Sequence, residues 1–181
     1  MQPTISTFSV TKGGKVTETY ECLAQWDLSS SLDENLERFK EENPILAPTA
    51  AWLKEMRKIL RVRLGDIDRQ RPLIRLAKAK MPMETWSPIL LWHLSFRELL
   101  LTDFLESWLY PRKQDGVIRV RGKDVRGYLA ELNQRGLIQE SWSERTISKM
   151  SSSLLKYAAD FGQLKGKSIK EIAPCFLPDA A

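Results

Sequence analysis

The amino-acid sequence predicts an all-α protein with minor β, arranged as two small helical lobes. Three observations predict it. Apolar residues recur at intervals of three and four along most of the chain, the spacing that lines one face of a helix. Three pairs, Ser31/Glu34, Ser95/Glu98 and Ser141/Glu144, stand at capping-box spacing, where each side chain can serve an orphan N–H of the first turn. Only residues 117–121 (VIRVR) alternate in the manner of a short strand.

The elements follow in order. The first 16 residues read as a loose lead-in with a turn at Gly13-Gly14. A short helix is expected over 16–26, and Ser29-Ser30-Ser31 interrupts the chain after it. Ser31 starts a helix with Leu32, Leu36 and Phe39 on one face, which ends before Pro44. A stronger helix is expected over 49–64. There Leu53, Met56, Leu60 and Leu64 form one stripe, and Gly65 is its stop. Another short helix is expected to start near Pro72, and Pro82 separates it from the segment 84–93. Ser95 is expected to open a helix to Tyr110 that stops before Pro111 and buries Leu99, Leu100, Phe104, Leu105 and Trp108.

The charged turn at 113–116 is the expected boundary between an N-terminal helical lobe, 1–112, and a C-terminal lobe, 117–181. In the second lobe a helix over 123–134 turns Val125, Tyr128, Leu129 and Leu132 inward, with Gly136 as its stop. The last helix turns Ile147, Met150, Leu154, Ala158 and Phe161 inward and ends at Gly162. A basic turn, Lys165-Gly166-Lys167, and a short extended end complete the chain. The order strand, helix, turn, helix, basic turn, extended end fits a plain helical bundle. It fits a winged or helix-turn-helix-like module as well.

Composition narrows the classes of function. The 181 residues include 28 Lys and Arg, 23 Asp and Glu and one His, for a net charge of +5, and 43% are hydrophobic. That is enough apolar material for a core rather than a disordered tail. Two cysteines, Cys22 and Cys175, cannot build a disulfide scaffold and read as small buried hydrophobes. Residues 1–10 lack a basic start followed by an apolar run, so no signal peptide is expected. The most apolar stretch, 88–110, holds His93, Arg97, Glu98, Asp103 and Glu106. Each central charge would cost a spanning helix about 2.5–3.5 kcal/mol, so a soluble, cytoplasmic protein without membrane insertion is expected.

Catalytic constellations are poor. His93 stands alone in an apolar helix and reads as a packed core residue. Gly166-Lys167-Ser168 resembles the end of a P-loop, but Gly162 and Gly166 leave three residues between them where the motif needs four, and a helix precedes them. Asp66/Asp68 and Glu41/Glu42 lack further ligands at matching positions and read as surface charges. No enzyme activity, cofactor or metal is expected. The six tryptophans read as core, with Trp142 the exception closest to a helix start.

Charge is divided unevenly. Residues 1–56 carry five basic and nine acidic residues, whereas 57–181 carry 23 basic and 14 acidic ones. A partner feels this local field more than the total. Three basic groups stand out. The first, 57–80, includes Arg57, Lys58, Arg61, Arg63, Arg71 and Arg75. The second includes Arg119, Arg121, Lys123 and Arg126. The third is the outer face of the last helix, with Arg145, Lys149, Ser152, Ser153 and Lys156. Arg binds phosphate with a planar fork, Lys as a point charge, and Ser can bond to phosphate or base edges.

The pattern Glu42-Asn43-Pro44-Ile45-Leu46 with its following helix carries a family resemblance. So do Leu90-Leu91-Trp92 continuing to Arg97-Glu98, and Trp142-Ser143-Glu144-Arg145-Thr146 with its helix and Gly162. In order and spacing, residues 8–178 resemble the small A component of BREX phage-defence systems, the BrxA family. The resemblance implies a small, mostly helical, non-enzymatic protein. It implies DNA binding as the molecular activity and other BREX proteins as partners.

The leading expectation is therefore a non-catalytic, salt-sensitive component that binds double-stranded DNA. Arg57, Lys58, Arg61, Arg71, Arg75, Arg119, Arg121, Lys123, Arg126, Arg145, Lys149 and Lys156 would supply the phosphate contacts. A protein–protein adaptor whose acidic lobe docks a basic partner is the second reading, and it would rest on Glu34, Glu37, Glu41 and Glu42. RNA binding is the third.

Overall fold

The computed structural model describes residues 7–135, 138 and 142–174. In chain order the elements are α1 (Phe8–Lys12), α2 (Val16–Ala24), α3 (Leu32–Glu42), α4 (Ala50–Leu64), α5 (Ile67–Lys78), α6 (Met83–Ser95) and α7 (Leu99–Asp103). A π-helical segment (Phe104–Leu109), α8 (Tyr110–Gln114), β1 (Arg119–Val120), α9 (Gly122–Gln134), α10 (Glu144–Asp160), β2 (Leu164–Lys165) and β3 (Lys170–Ile172) follow. The fold is mainly α with one small sheet, as the sequence predicts. The chain divides into two compact units. Over the described residues one unit is 15–92, and the other joins 7–14 to 93–174. The turn at 113–116 lies inside the latter.

In the 15–92 unit, α2 packs on α5 and α3 on α4 around buried Trp26, Phe39, Met56, Leu60, Ile74 and Trp86. The expected capping box is present. Ser31 Oγ accepts from the Glu34 N–H at 3.2 Å, and Glu34 Oε2 accepts from the Ser31 N–H at 2.6 Å. Thr49 caps α4 by accepting from the Trp52 N–H at 3.1 Å. The helix expected near Pro72 starts five residues earlier, at Ile67, and carries Pro72 inside it. Proline withholds one helical N–H, and the carbonyl that loses its donor belongs to exposed Asp68, where water can serve it. Trp92 is a correction to the tryptophan expectation, because it is 59% exposed.

In the other unit, the expected loose lead-in contains α1, which packs on α10. Val10 lies in the same core as Leu100, Phe104, Leu129, Leu132, Met150 and Leu154. Ser95 does not cap a new helix; it is the last residue of α6. The buried carboxylate of Glu98, expected in that capping box, instead accepts from Ser9 Oγ at 2.6 Å.

The helix after it does not stop before Pro111. Its middle widens into the π-helical segment, where the Tyr110 N–H donates to the Leu105 carbonyl five residues back. Pro111 follows directly and continues the helix from the first turn of α8, where a missing N–H is tolerated. The extra residue per turn rotates the face buried after it, so Leu109 goes inward beside Trp108. Before it, Leu101 is buried, while Leu99, the first residue of α7, stays 40% exposed. Phe104 and Trp108 stack at 5.2 Å.

The strand expected over 117–121 shortens to Arg119–Val120, with Val120 buried and Arg119 exposed. β1, β3 and β2 form an antiparallel sheet in the order β1-β3-β2. The extended end of the sequence reading is thus a hairpin. α9 buries Val125, Tyr128, Leu129 and Leu132 as expected. α10 is capped by Ser143, whose Oγ accepts from the Thr146 N–H at 3.3 Å, so the cap lies two residues beyond the expected Ser141. Ser141, Gly136 and Cys175 lie outside the described residues.

Candidate nucleic-acid interface

The 17 residues of α10 turn Met150, Ser151, Leu154, Leu155, Tyr157 and Ala158 inward. That inward face leaves Arg145, Lys149, Ser152 and Lys156 exposed, at successive spacings of four, three and four. On an α-helix these positions form one line about 16 Å long. α9 brings a second basic edge beside it. Arg121 sits at its N-cap, where its N–H donates to Asp124 Oδ2 at 2.7 Å, and Lys123 and Arg126 are exposed on the helix.

The two helices are close at one end. A Cβ added to Gly122 would lie 3.8 Å from Ser151 Oγ, so the start of α9 meets the middle of α10. Beyond that point they part into an open cleft of about 670 Å³, lined by Arg126, Gly127 and Ala130 from α9 and by Glu144, Arg145, Ile147 and Ser148 from α10.

The β2–β3 hairpin adds a third basic element. Its turn is tight. Gly166 has φ +96°, and a Cβ there would come within 2.6 Å of the Ile169 carbonyl oxygen. Lys170 Nζ donates to the Gly166 carbonyl at 2.6 Å and braces the same turn. Lys165 and Lys167 are both exposed on it. The residue set drawn from sequence omits these two. The basic turn is visible in the chain, but its placement depends on β3 pairing with β1, which is a long-range contact.

The twelve sequence-predicted residues divide between the two units. Arg57, Lys58, Arg61, Arg71 and Arg75 lie in the 15–92 unit, and the other seven lie in the unit that holds α9 and α10. The two sets also differ in state. Arg57 pairs with Glu37, Arg61 with Asp33 at 2.5 Å, and Arg71 with Asp68 at 2.8 Å. Glu37 is held below its ordinary carboxylate range, first by the hydrogen bond from Arg57. Arg63 is a core residue, 3% exposed, whose Nη1 donates to Thr19 Oγ1 at 3.1 Å. Arg75 is exposed.

In the other unit Arg119 pairs with Glu171 at 3.2 Å across the sheet. Arg121, Lys123, Arg126, Arg145, Lys149 and Lys156 make no ion pair among the described residues. An exposed cation that no carboxylate pairs with is available to a polyanion.

Other candidate chemistry is placed as well. Cys22 is buried, and burial pushes its thiol up to about 12. His93 is half-buried, and burial lowers its pKa. Among the described residues no group of three or more His, Cys, Asp and Glu could hold a metal ion. Among them, no helix is long and apolar enough to cross a membrane.

The protein-family model for BrxA matches residues 6–180. No curated protein matches the chain.

Proposed function

The chain belongs to the BrxA family, the small A components of BREX systems, and from that premise we propose that it is a non-catalytic subunit that binds double-stranded DNA in anti-phage defence. The observation that carries the reading is the unpaired basic row of α10, Arg145, Lys149 and Lys156, flanked by Lys123 and Arg126 of α9. The path β1, α9, α10, β2, β3 with sheet order β1-β3-β2 supports a winged helix-turn-helix reading. In that arrangement the second helix of the pair enters the major groove. A groove about 12 Å wide admits a helix, and the row on α10 is the side it would present. Lys165 and Lys167 then form the wing.

The adaptor reading draws less from the structure. Glu34 is occupied in its capping box, Glu37 with Arg57 and Lys40, and Glu42 with Arg38. Three of the four acids thus have partners within the protein, and exposed Glu41 makes no ion pair among the described residues.

The test is binding of a labelled duplex of arbitrary sequence by the whole protein, with a matched RNA, from about 50 to 200 mM salt. The logarithm of affinity should fall with the logarithm of salt at about 0.9 per phosphate neutralised. Replacing Arg145 and Lys149 together by Ala should weaken binding and flatten that slope by about two. Failure to bind duplex at the lowest salt would refute the reading, and preference for the RNA would move it to the third alternative.

A further inference from the structure

The cleft between α9 and α10 is not explained by the needs of the fold. Gly127 sits in the interior of α9, where glycine is the poorest helix former after proline. Packing does not demand it, because an added Cβ would meet no atom within 4 Å. Ala130 continues the same side of α9 one turn on, and Ser148 is the small residue facing it from α10. The result is an open channel of about 670 Å³ with a floor of backbone, methyl and hydroxyl groups.

Its rims carry Arg126 on one helix and Arg145 on the other. Neither is paired to a carboxylate among the described residues. Beyond each rim the cation row continues, to Lys123 on α9 and to Lys149 on α10.

We infer that this cleft seats one sugar–phosphate strand of the duplex, with a phosphate between the guanidinium forks of Arg126 and Arg145. The inference rests on the DNA-binding reading above and adds to it the side of α10 on which a strand lies. A polyanionic strand fits two arginine rims. Its deoxyribose faces suit the apolar parts of the floor, Ile147 and Ala130. A missing side chain at Gly127 lets the strand reach the helix backbone. Glu144 also lines the cleft and opposes an anion, so its charge sets a ceiling on affinity that a neutral residue would lift.

The test compares four variants of the full-length protein for duplex affinity, salt slope and melting temperature. Gly127→Leu should melt at or above wild type, since leucine favours the helix and the site is open, yet bind duplex about tenfold more weakly. Arg126→Glu changes only an exposed charge, so it reports on the cleft whatever the leucine does to folding. It should weaken binding at least tenfold and lower the salt slope by about one. Glu144→Gln should tighten binding about threefold. The double variant Lys149→Ala with Lys156→Ala tests the α10 row alone.

If that double variant loses affinity while Gly127→Leu and Arg126→Glu bind as wild type, the strand does not enter the cleft. The inference then fails and the DNA reading stands. Wild-type duplex binding by Gly127→Leu together with lost phage protection in cells would assign the cleft to a protein partner, and also overturns the inference. If the unmodified protein does not bind duplex at the lowest salt, both fail.

Discussion

The Gly14 N–H donates to Oδ2 of Asp160 at 2.7 Å. Asp160 is the last residue of α10, so this bond fastens the N-terminal segment to the helix that carries the basic row. The same segment sends Val10 into the core and Ser9 to Glu98. Residues far apart in sequence thereby set the position of the candidate DNA-binding helix. A Cβ on Gly14 would lie 2.6 Å from the Asp160 Cβ. Gly14→Ala should therefore cost about 1–3 kcal/mol through overpacking. Asp160→Ala should cost about 1.5–3 kcal/mol, the range for a hydrogen bond to a charged group. Thermal unfolding checks both, and an unchanged melting temperature in Gly14→Ala would refute the contact.

A second tie joins α9 to the helical segment before it. Tyr128 donates its hydroxyl to Asp103 Oδ2 at 2.5 Å, and its ring lies 6.1 Å from Phe104 and 5.9 Å from Trp108. Burial, then the bond to Asp103, raises the phenol above its ordinary value of 10.0. A raised folded-state pKa means the folded protein holds this proton more tightly than the unfolded chain. Its stabilisation is complete below about pH 10 and is lost as pH rises further. Tyr128→Phe should lower stability at pH 7 by about 1.5–3 kcal/mol, the range for bonds to charged groups. It should also remove this residue's part of the alkaline loss. Denaturant titrations at pH 7, 9 and 10.5 check both expectations.

Local signals in the chain were legible, and long-range ones were not. The capping box at Ser31 and the inward faces of α4 and α9 follow from spacing within a few residues, and the structure has them. Ser95 and Glu98 have the same spacing as Ser31 and Glu34 but no capping box forms. Ser9, 89 residues away, takes the Glu98 carboxylate into the core. The π-helical turn defeats a 3.6-residue count over one element, which adds Leu109 to the buried face and lets Pro111 pass. The basic row of α10 was readable from its own periodicity. Which arginines elsewhere are spent was not, because Arg57 and Arg61 find their acids 20 and 28 residues back, on α3. The hairpin lysines needed the sheet register, which no local pattern supplies.

That distinction between spent and unspent cations is itself testable. Arg57 and Arg61 are neutralised by Glu37 and Asp33, whereas Lys149 and Lys156 have no such partner among the described residues. Arg57→Ala with Arg61→Ala should leave duplex affinity within about twofold. It should lower stability only slightly, since exposed pairs contribute little each. Lys149→Ala with Lys156→Ala should do the reverse, lowering the salt slope by about two with little change in stability. Paired binding and unfolding curves separate the cases, and equal losses of affinity in both variants would show that the 15–92 unit also contacts DNA.

Cys22 should be chemically silent. Its side chain is 1% exposed, and burial pushes the thiol up to about 12, with Glu18 and Glu21 adding to the shift. The thiolate is the reactive form, so almost none exists at pH 8. A thiol reagent should label this residue in native protein only at the rate of unfolding, and at once in denaturant. Peptide mapping after timed labelling distinguishes Cys22 from Cys175. Rapid native labelling of Cys22 would contradict its burial.

The hairpin turn offers the last test, because one residue controls both its shape and the placement of two cations. Gly166 has φ +96°, a region that a side chain enters only under strain, and its added Cβ would press on the Ile169 carbonyl at 2.6 Å. The clash is with backbone, so no rotamer relieves it. Gly166→Ala should therefore open the turn, freeing Lys170 from the Gly166 carbonyl and displacing Lys165 and Lys167. The hairpin strands are two and three residues long, so global stability should fall only slightly, by about 1 kcal/mol. Duplex affinity should fall as far as in Lys165→Ala with Lys167→Ala, if these lysines act as a wing held in place by the turn. The two variants differ in salt slope. Removing both lysines deletes two phosphate contacts and flattens it by about two, while Gly166→Ala keeps both charges and weakens binding with a smaller change in slope. Wild-type affinity in both variants would remove the hairpin from the interface and leave binding to α9 and α10.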